Sequence, residues 1–355
     1  MYDFTYTALT SRVVFGLDSV KHIEREVEML RAARALVLCT PEQVAQAEMV
    51  AGLLGKRCAG IHAGAVMHVP IDSARAAVAE AARLGADCAV AIGGGSTVGL
   101  GKAIALESSL PIIAIPTTYA GSEMTPIYGI TENGLKRTGR DNRVLPRVVL
   151  YDPRLSASLP AHISYVSGLN AIAHAAEGLY AQDGNPVIAL MAEEGIRSLA
   201  KGLRQLKQDP HDIEARSNCL YGAWLCGSVL GQVGMALHHK LCHTLGGSYN
   251  LPHAETHAIV LPHALAYNAG AAPEAMRCIA RALGSKEAAQ GVFSLSRELG
   301  IPSGLKDIGM RQDDLDQACE IALANPYWNP RPVEAAPLRQ LLKRAWAGQP
   351  PVSDI

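Results

Sequence analysis

Between residues 35 and 118, short apolar runs alternate with helix-periodic segments, and this leaves few folds open to the chain. ALVLCT (35–40), RCAGIHAG (57–64), DCAVAIGGGS (87–96) and LPIIAIPTT (110–118) are apolar runs of strand length. A strand covered on both faces reads this way, because neither face needs polar residues. The segments between them, PEQVAQAEMVAGLLG (41–55), SARAAVAEAARLG (73–85) and TVGLGKAIALE (97–107), are helical in pattern. Pro41 suits a first turn and Gly85 a helix end. Strands joined by helices make a parallel sheet with right-handed crossovers.

The pattern changes after DPRLSASLP (152–160). HISYVSGLNAIAHAAEGLYAQ, VIALMAEEGIRSLAKGLRQL and ARSNCLYGAWLCGSVLGQ are long, rich in Ala and Leu, and helix-periodic. The expected architecture is an α/β, Rossmann-like parallel-sheet domain over residues 1–155, followed by an all-helical domain over 156–355. A formal net charge of −1 with no basic block argues against nucleic-acid and anionic-membrane partners. No stretch of eighteen uninterrupted apolar residues predicts a membrane span, and the N-terminus has no secretory pattern. The eight cysteines form no CxxC, which fits a reduced cytoplasm better than a disulfide framework.

Two regions carry chemistry. AVAIGGGSTVGLGKAIA (89–105) reads as strand, GGGS turn and helix. Glycines allow close backbone approach, and a helix N-terminus offers free N–H groups to a pyrophosphate. IPTTYAGSEMT (115–125) is a second strand-end loop, rich in hydroxyls, where ligands of open α/β sheets sit. An ordinary Gly-rich turn is the alternative reading of the first.

The second region is histidine-rich. Asn170 and His174 are four apart on one predicted helix, and His239 and His243 on another. His253 is expected in a loop after a break at Gly246–Gly247. Polar groups repeated on apolar helices are costly unless they serve something. Metal ligation and hydrogen-bonded core histidines both remain open on spacing alone. His238 and Lys240, off the 239/243 face, are expected to be peripheral, and His257 and His263 supporting or structural.

GGGS before a helix, the IPTT strand end, LNAIAHAAEGLY, HHKLCHTLGG and the PH of LPHAETHAIVLPHALAYN together resemble the iron-containing (group III) alcohol dehydrogenase superfamily. RVVFG, MHVP, IPTTYAGSEMT and KRTGRDNRVLP are similar to its maleylacetate reductase branch. The resemblance implies the fold shared with dehydroquinate synthase, a cleft between two domains and use of NADH, with NADPH possible. It implies cofactor contacts from Gly94, Gly95 and Ser96 on the phosphate side and Thr117, Thr118 and Ser122 on the nicotinamide side. Lys136 is placed as a further cofactor contact. The superfamily's metal positions fall on Asn170, His174, His239 and His253, with His243 beside the nicotinamide.

Asn170 stands where metal-dependent members have Asp, so the site is expected to be vestigial and to work without metal. Gly99 stands where Asp is common. Thr40 and Glu42 leave the NADH/NADPH choice open. The implied reaction is reduction of the C=C of maleylacetate, a small dicarboxylate and part of aromatic-compound breakdown, to 3-oxoadipate. His243 is the first candidate proton donor and His253 the second, with His239, His174, Asn170 and Tyr327 around the substrate. Lys240 or Arg331 could hold its carboxylates. The alternatives are a metal-dependent alcohol dehydrogenase of the same superfamily and a catalytically silent nucleotide-binding protein. A homodimer is expected from the resemblance.

Overall fold

The computed structural model describes residues 3–132 and 135–353, with Leu135 and Lys136 by backbone alone. The chain divides into two compact units. One comprises Ala8–Leu159 and His211–Leu220, the other Met1–Thr7, Pro160–Pro210 and Tyr221–Ile355.

In the first unit the strands are β1 (Arg12–Phe15), β2 (Ala35–Leu38), β3 (Cys58–His62), β4 (Cys88–Gly93), β5 (Ile112–Pro116), β6 (Ile127–Glu132), β7 (Leu135–Arg140) and β8 (Val148–Tyr151). Its helices are α1 (Ile23–Met29), α2 (Val44–Leu54), α3 (Ile71–Leu84) and α4 (Gly95–Ser108). Six strands form a sheet in the order β1-β8-β5-β4-β2-β3, every pairing parallel. Side chains alternate across a strand, so one run feeds two cores. Val37, Val90, Ile113 and Val148 face one core, whereas Leu36, Ala89 and Ile112 face the other. Gly85 closes α3 in the left-handed conformation, φ 60°, as its place after the periodic run predicts.

Sequence reasoning found β2 to β5 but missed β1 and β8. RVVF and VVLY are short runs far apart in the chain, and their pairing, Arg12 with Val148 through Phe15 with Tyr151, is a long-range event. It also missed the antiparallel β6–β7 hairpin.

The sheet order places a switch point between β2 and β4. From β2 the chain moves outward to β3, then returns to the other side of β2. Ligands of doubly wound sheets bind at the carboxyl ends of strands flanking such a point. Here these ends carry Thr40 to Gln43 and the glycine turn.

The second unit is helical: α5 (Ala161–Gly178), α6 (Pro186–Gln208), α8 (Leu237–Tyr249), α9 (His253–Asn268), α10 (Pro273–Leu283), α11 (Ala288–Glu298), α12 (Leu315–Ala324) and α13 (Ala335–Ala347). α7 (Ile213–Gln232) precedes α8. Leu241, Leu245, Val260, Leu315, Cys319, Leu338 and Leu341 share one core among α8, α9, α12 and α13. Among the described residues, no single helix is long and apolar enough to cross a membrane. All eight cysteines are free.

Two local expectations are corrected. α8 runs through Gly246–Gly247 and ends at Asn250, whose φ of 52° is left-handed. Helical glycine costs only about 1 kcal/mol relative to Ala and need not end a helix. His253 is therefore not a loop residue: it is the first residue of α9, after Pro252.

Candidate active site

α5 is buried from Ser164 to Gly178. Its Asn170, His174 and Glu177 recur at i, i+4 and i+7, so they share a face. Asn170, His174 and Glu177 are 5%, 4% and 0% exposed. Glu177 is the organiser. Its Oε2 accepts from Ala236 N and its Oε1 from His238 N, both at 2.7 Å. These N–H groups lie at the start of α8, where helix donors lack intrahelical partners and the dipole end attracts an anion. Nδ1 of His239 also lies 2.7 Å from Glu177 Oε2.

A carboxylate only accepts, so His239 donates from Nδ1. Nε2 of His239 lies 2.8 Å from Nδ1 of His174. With the neutral tautomer of His239, His174 donates there, and Nε2 is its acceptor nitrogen. Glu177 thus fixes the orientation of two imidazoles in series. Sequence reasoning missed Glu177. The signal was available: an acid on an apolar helix, three residues past His174 and seven past Asn170.

α8 carries two different faces. His239 and His243 lie on one, their ring centroids 6.0 Å apart. His243 and His253 are exposed, unlike the buried His239 and His174. Nδ1 of His243 lies 3.0 Å from the Tyr327 hydroxyl, and burial raises that phenol above its usual pKa. Tyr327 is 39% exposed, so it is a surface contact of the histidine rather than a core aromatic. Lys240 lies 5.8 Å from the Tyr327 ring centre. Arg331 stacks on Tyr267 at 4.2 Å and donates to its carbonyl at 3.1 Å, which fixes the guanidinium.

The other face of α8 overturns one expectation. His238 is fully buried, not peripheral. Its Nε2 lies 3.0 Å from Nδ1 of His257, and Cys242 Sγ lies 3.7 Å from the same Nε2. Burial and neighbouring imidazoles hold both histidines well below their usual pKa, so they stay neutral. The donor atoms of His238, Cys242 and His257 lie within 4.8 Å of one another, but the two histidines already bond each other. His253 packs against His257, ring centroids 4.3 Å apart. His174, His239, His243 and His253 thus lie around a supporting pair that the spacing did not reveal. His263 is also buried and pushed down to about 4 by desolvation.

In the first unit Gly94 is the N-cap of α4, and Gly95 and Ser96 open that helix. Gly93 has φ 150°, and a Cβ there would lie 2.5 Å from Thr97 Oγ1. A Cβ on Gly94 would meet Thr118 Cγ2 at 2.9 Å, whereas Gly95 faces open space. The turn is thus tight where it packs and open where a ligand would approach. Thr117 is buried and accepts from Gln43 Nε2 at 3.0 Å, tying the end of β5 to the end of β2. Ser122 starts a short 3-10 turn, Ser122–Met124. Gly99 has a steric reason: a Cβ there would lie 2.7 Å from Val69 Cγ2, which fills the space an Asp would need. The side chain of Lys136 lies outside the described residues.

Comparison with known proteins agrees with this geometry. Residues 10–153 match the model of the iron-containing alcohol dehydrogenases, and residues 164–346 that of the C-terminal region of the Fe-containing alcohol dehydrogenase family. A maleylacetate reductase of Burkholderia cepacia is 60% identical over 99% of this chain and 100% of its own length. A solved maleylacetate reductase of Agrobacterium tumefaciens is 53% identical, covers 99% of this chain and 100% of its own, and superposes with TM-score 0.96. A solved structure from Ralstonia eutropha JMP134, described as an alcohol dehydrogenase, is 66% identical with TM-score 0.97 over 99% of this chain and 100% of its own. The chain belongs to the iron-containing alcohol dehydrogenase family, in its maleylacetate reductase branch.

Proposed function

We propose that this oxidoreductase reduces the C=C of maleylacetate to 3-oxoadipate with a nicotinamide cofactor and without a resident metal ion. The observation that carries the metal-free part is the donor set. Asn170 offers a neutral amide oxygen where a hard or borderline cation wants a carboxylate. Nδ1 of His174 and Nε2 of His239 lie at hydrogen-bond distance from each other, and the nearby carboxylate, Glu177, is spent on α8 and on His239. This set lacks the free carboxylate that would favour a resident divalent ion. No step is routed through one.

The glycine turn and Thr117, Thr118 and Ser122 fit a dinucleotide. Glu42 is exposed at the end of β2, and a hydrogen bond from Thr40 keeps it readily ionised. An anion there opposes a 2′-phosphate, which favours NADH over NADPH. When bound, the nicotinamide supplies hydride to the alkene carbon conjugated with the ketone.

The charge then spreads over an enolate, less basic than the alkoxide of a ketone reduction, so hydrogen-bond donors suffice in place of a Lewis acid. Glu177 fixes the rings of His239 and His174, whose N–H groups are spent within that chain, so the donors to the enolate are the exposed imidazoles. The exposed imidazoles of His243 and His253 hold the proton that completes the new C–H bond, His243 being the first donor. Protonated imidazole, Lys240 and Arg331 supply positive charge for the substrate's two carboxylates. We take the working form to be a homodimer, as the family resemblance implies, in a reduced cytoplasm, as the scattered cysteines suggest.

The test is substrate choice. Purified protein should oxidise NADH rapidly on addition of maleylacetate and slowly with simple aldehydes. Preference for an aldehyde would favour the metal-dependent alcohol dehydrogenase reading.

A further inference from the structure

α4 is apolar from Val98 to Ala105 except for Lys102, which is 1% exposed. An ammonium removed from water needs a substitute for its hydration. Five oxygens of one short segment supply it: Ser122 O at 2.7 Å, Ser122 Oγ at 3.3 Å, Thr125 O and Oγ1 at 2.9 Å, and Ile127 O at 2.7 Å. None is a carboxylate. Glu123, also buried, accepts instead from the Tyr151 hydroxyl at 2.7 Å.

The segment so held is not regular. Gly121 sits at φ 78°, Ser122–Met124 is a single 3-10 turn, and β6 starts only at Ile127. Three backbone carbonyls that a helix or sheet would otherwise occupy converge on one side chain. The same helix carries Gly95 and Ser96 at its N-terminus, two turns or about 10 Å from Lys102.

We propose that Lys102 is a positioning residue for the cofactor: its ammonium is an internal cation that shapes Ser122–Ile127 and so keeps Ser122 and the Thr117–Thr118 strand end in their binding arrangement. This rests on the cofactor reading given above. One helix then registers the phosphate-side turn against the nicotinamide-side loop. Burial lowers the Lys102 pKa to about 7 and Glu123 partly opposes this; the five surrounding oxygen acceptors are what favour the charged form.

The test is NADH binding by calorimetry, beside steady-state kinetics. Lys102→Met keeps the volume and removes the charge. NADH affinity should fall about 10- to 100-fold, the scale of a lost charge-assisted hydrogen bond, while kcat at saturating NADH stays within about threefold. Lys102→Ala should regain affinity with n-propylammonium and not with n-propanol, which separates charge from packing. Thr125→Val removes one hydroxyl ligand and should weaken NADH binding about two- to fivefold, a milder test if the lysine variants do not fold. Unchanged NADH affinity in folded Lys102→Met or, failing that, in Thr125→Val would overturn the proposal. A wild-type protein that binds no NADH would instead overturn the cofactor reading on which it rests.

Discussion

Replacing His243 by alanine should lower kcat for maleylacetate about a hundredfold or more, with little effect on folding. A positioned general acid contributes about 10² to 10⁴ in rate. His243 is exposed on the open face of α8, so its loss leaves no cavity and strands no buried partner. Its ring is aimed by the Tyr327 hydroxyl at 3.0 Å. Tyr327→Phe should therefore show a smaller loss of the same kind, about tenfold, because the imidazole stays while its orientation loosens. Rate profiles of the two variants separate chemistry from binding: kcat should drop more than KM rises. Wild-type kcat in His243→Ala would remove it as the donor and move the role to His253.

Glu177→Ala should cost about 3–5 kcal/mol of stability, the scale on which a buried charged group is removed from its partners. The carboxylate is fully buried, and its loss leaves Ala236 N, His238 N and His239 Nδ1 facing a void. Thermal unfolding should fall by about 10 °C. Glu177→Gln should fall less, since the amide oxygen still accepts from one group while its NH2 meets donors. Activity of the Gln variant should also drop, because His239 loses its charged anchor and the His239–His174 pair loses its fixed tautomers. A Glu177→Ala protein as stable as wild type would show that α8 caps itself by other means.

Where apolar patterning controls structure, the sequence is readable. β2, β4 and β5 are near-continuous apolar runs, and the burial of all their residues follows from that. β1 and β8 were not readable, because four-residue strands at distant positions reveal themselves only by pairing. In the site, helical spacing correctly put His239 and His243 on one face. It misjudged His238 because a helical wheel shows which residues share a face and not how many faces are covered. α8 packs on both α9 and α12, so the His238–Cys242 face is buried too. Two glycines resemble a break and so place His253 in a loop, whereas the actual break is the left-handed Asn250 followed by Pro252. Glu177 and Lys102 share a signature that went unread: one charge in an otherwise apolar helical run. Such a charge stays buried only if something waits for it, here the N-terminus of α8 and the carbonyls of Ser122–Ile127.

The central claim is that a hydrogen-bonded histidine cluster, not a metal ion, handles the charge of the reduction. The direct measurement is NADH oxidation with maleylacetate by protein stripped with a chelator and shown by elemental analysis to be metal-free. The account predicts turnover equal to that of untreated protein, and no gain on adding zinc, iron or manganese. Activity that disappears on stripping and returns with one of these ions would contradict it, and would assign Asn170 and the three histidines a ligand role after all.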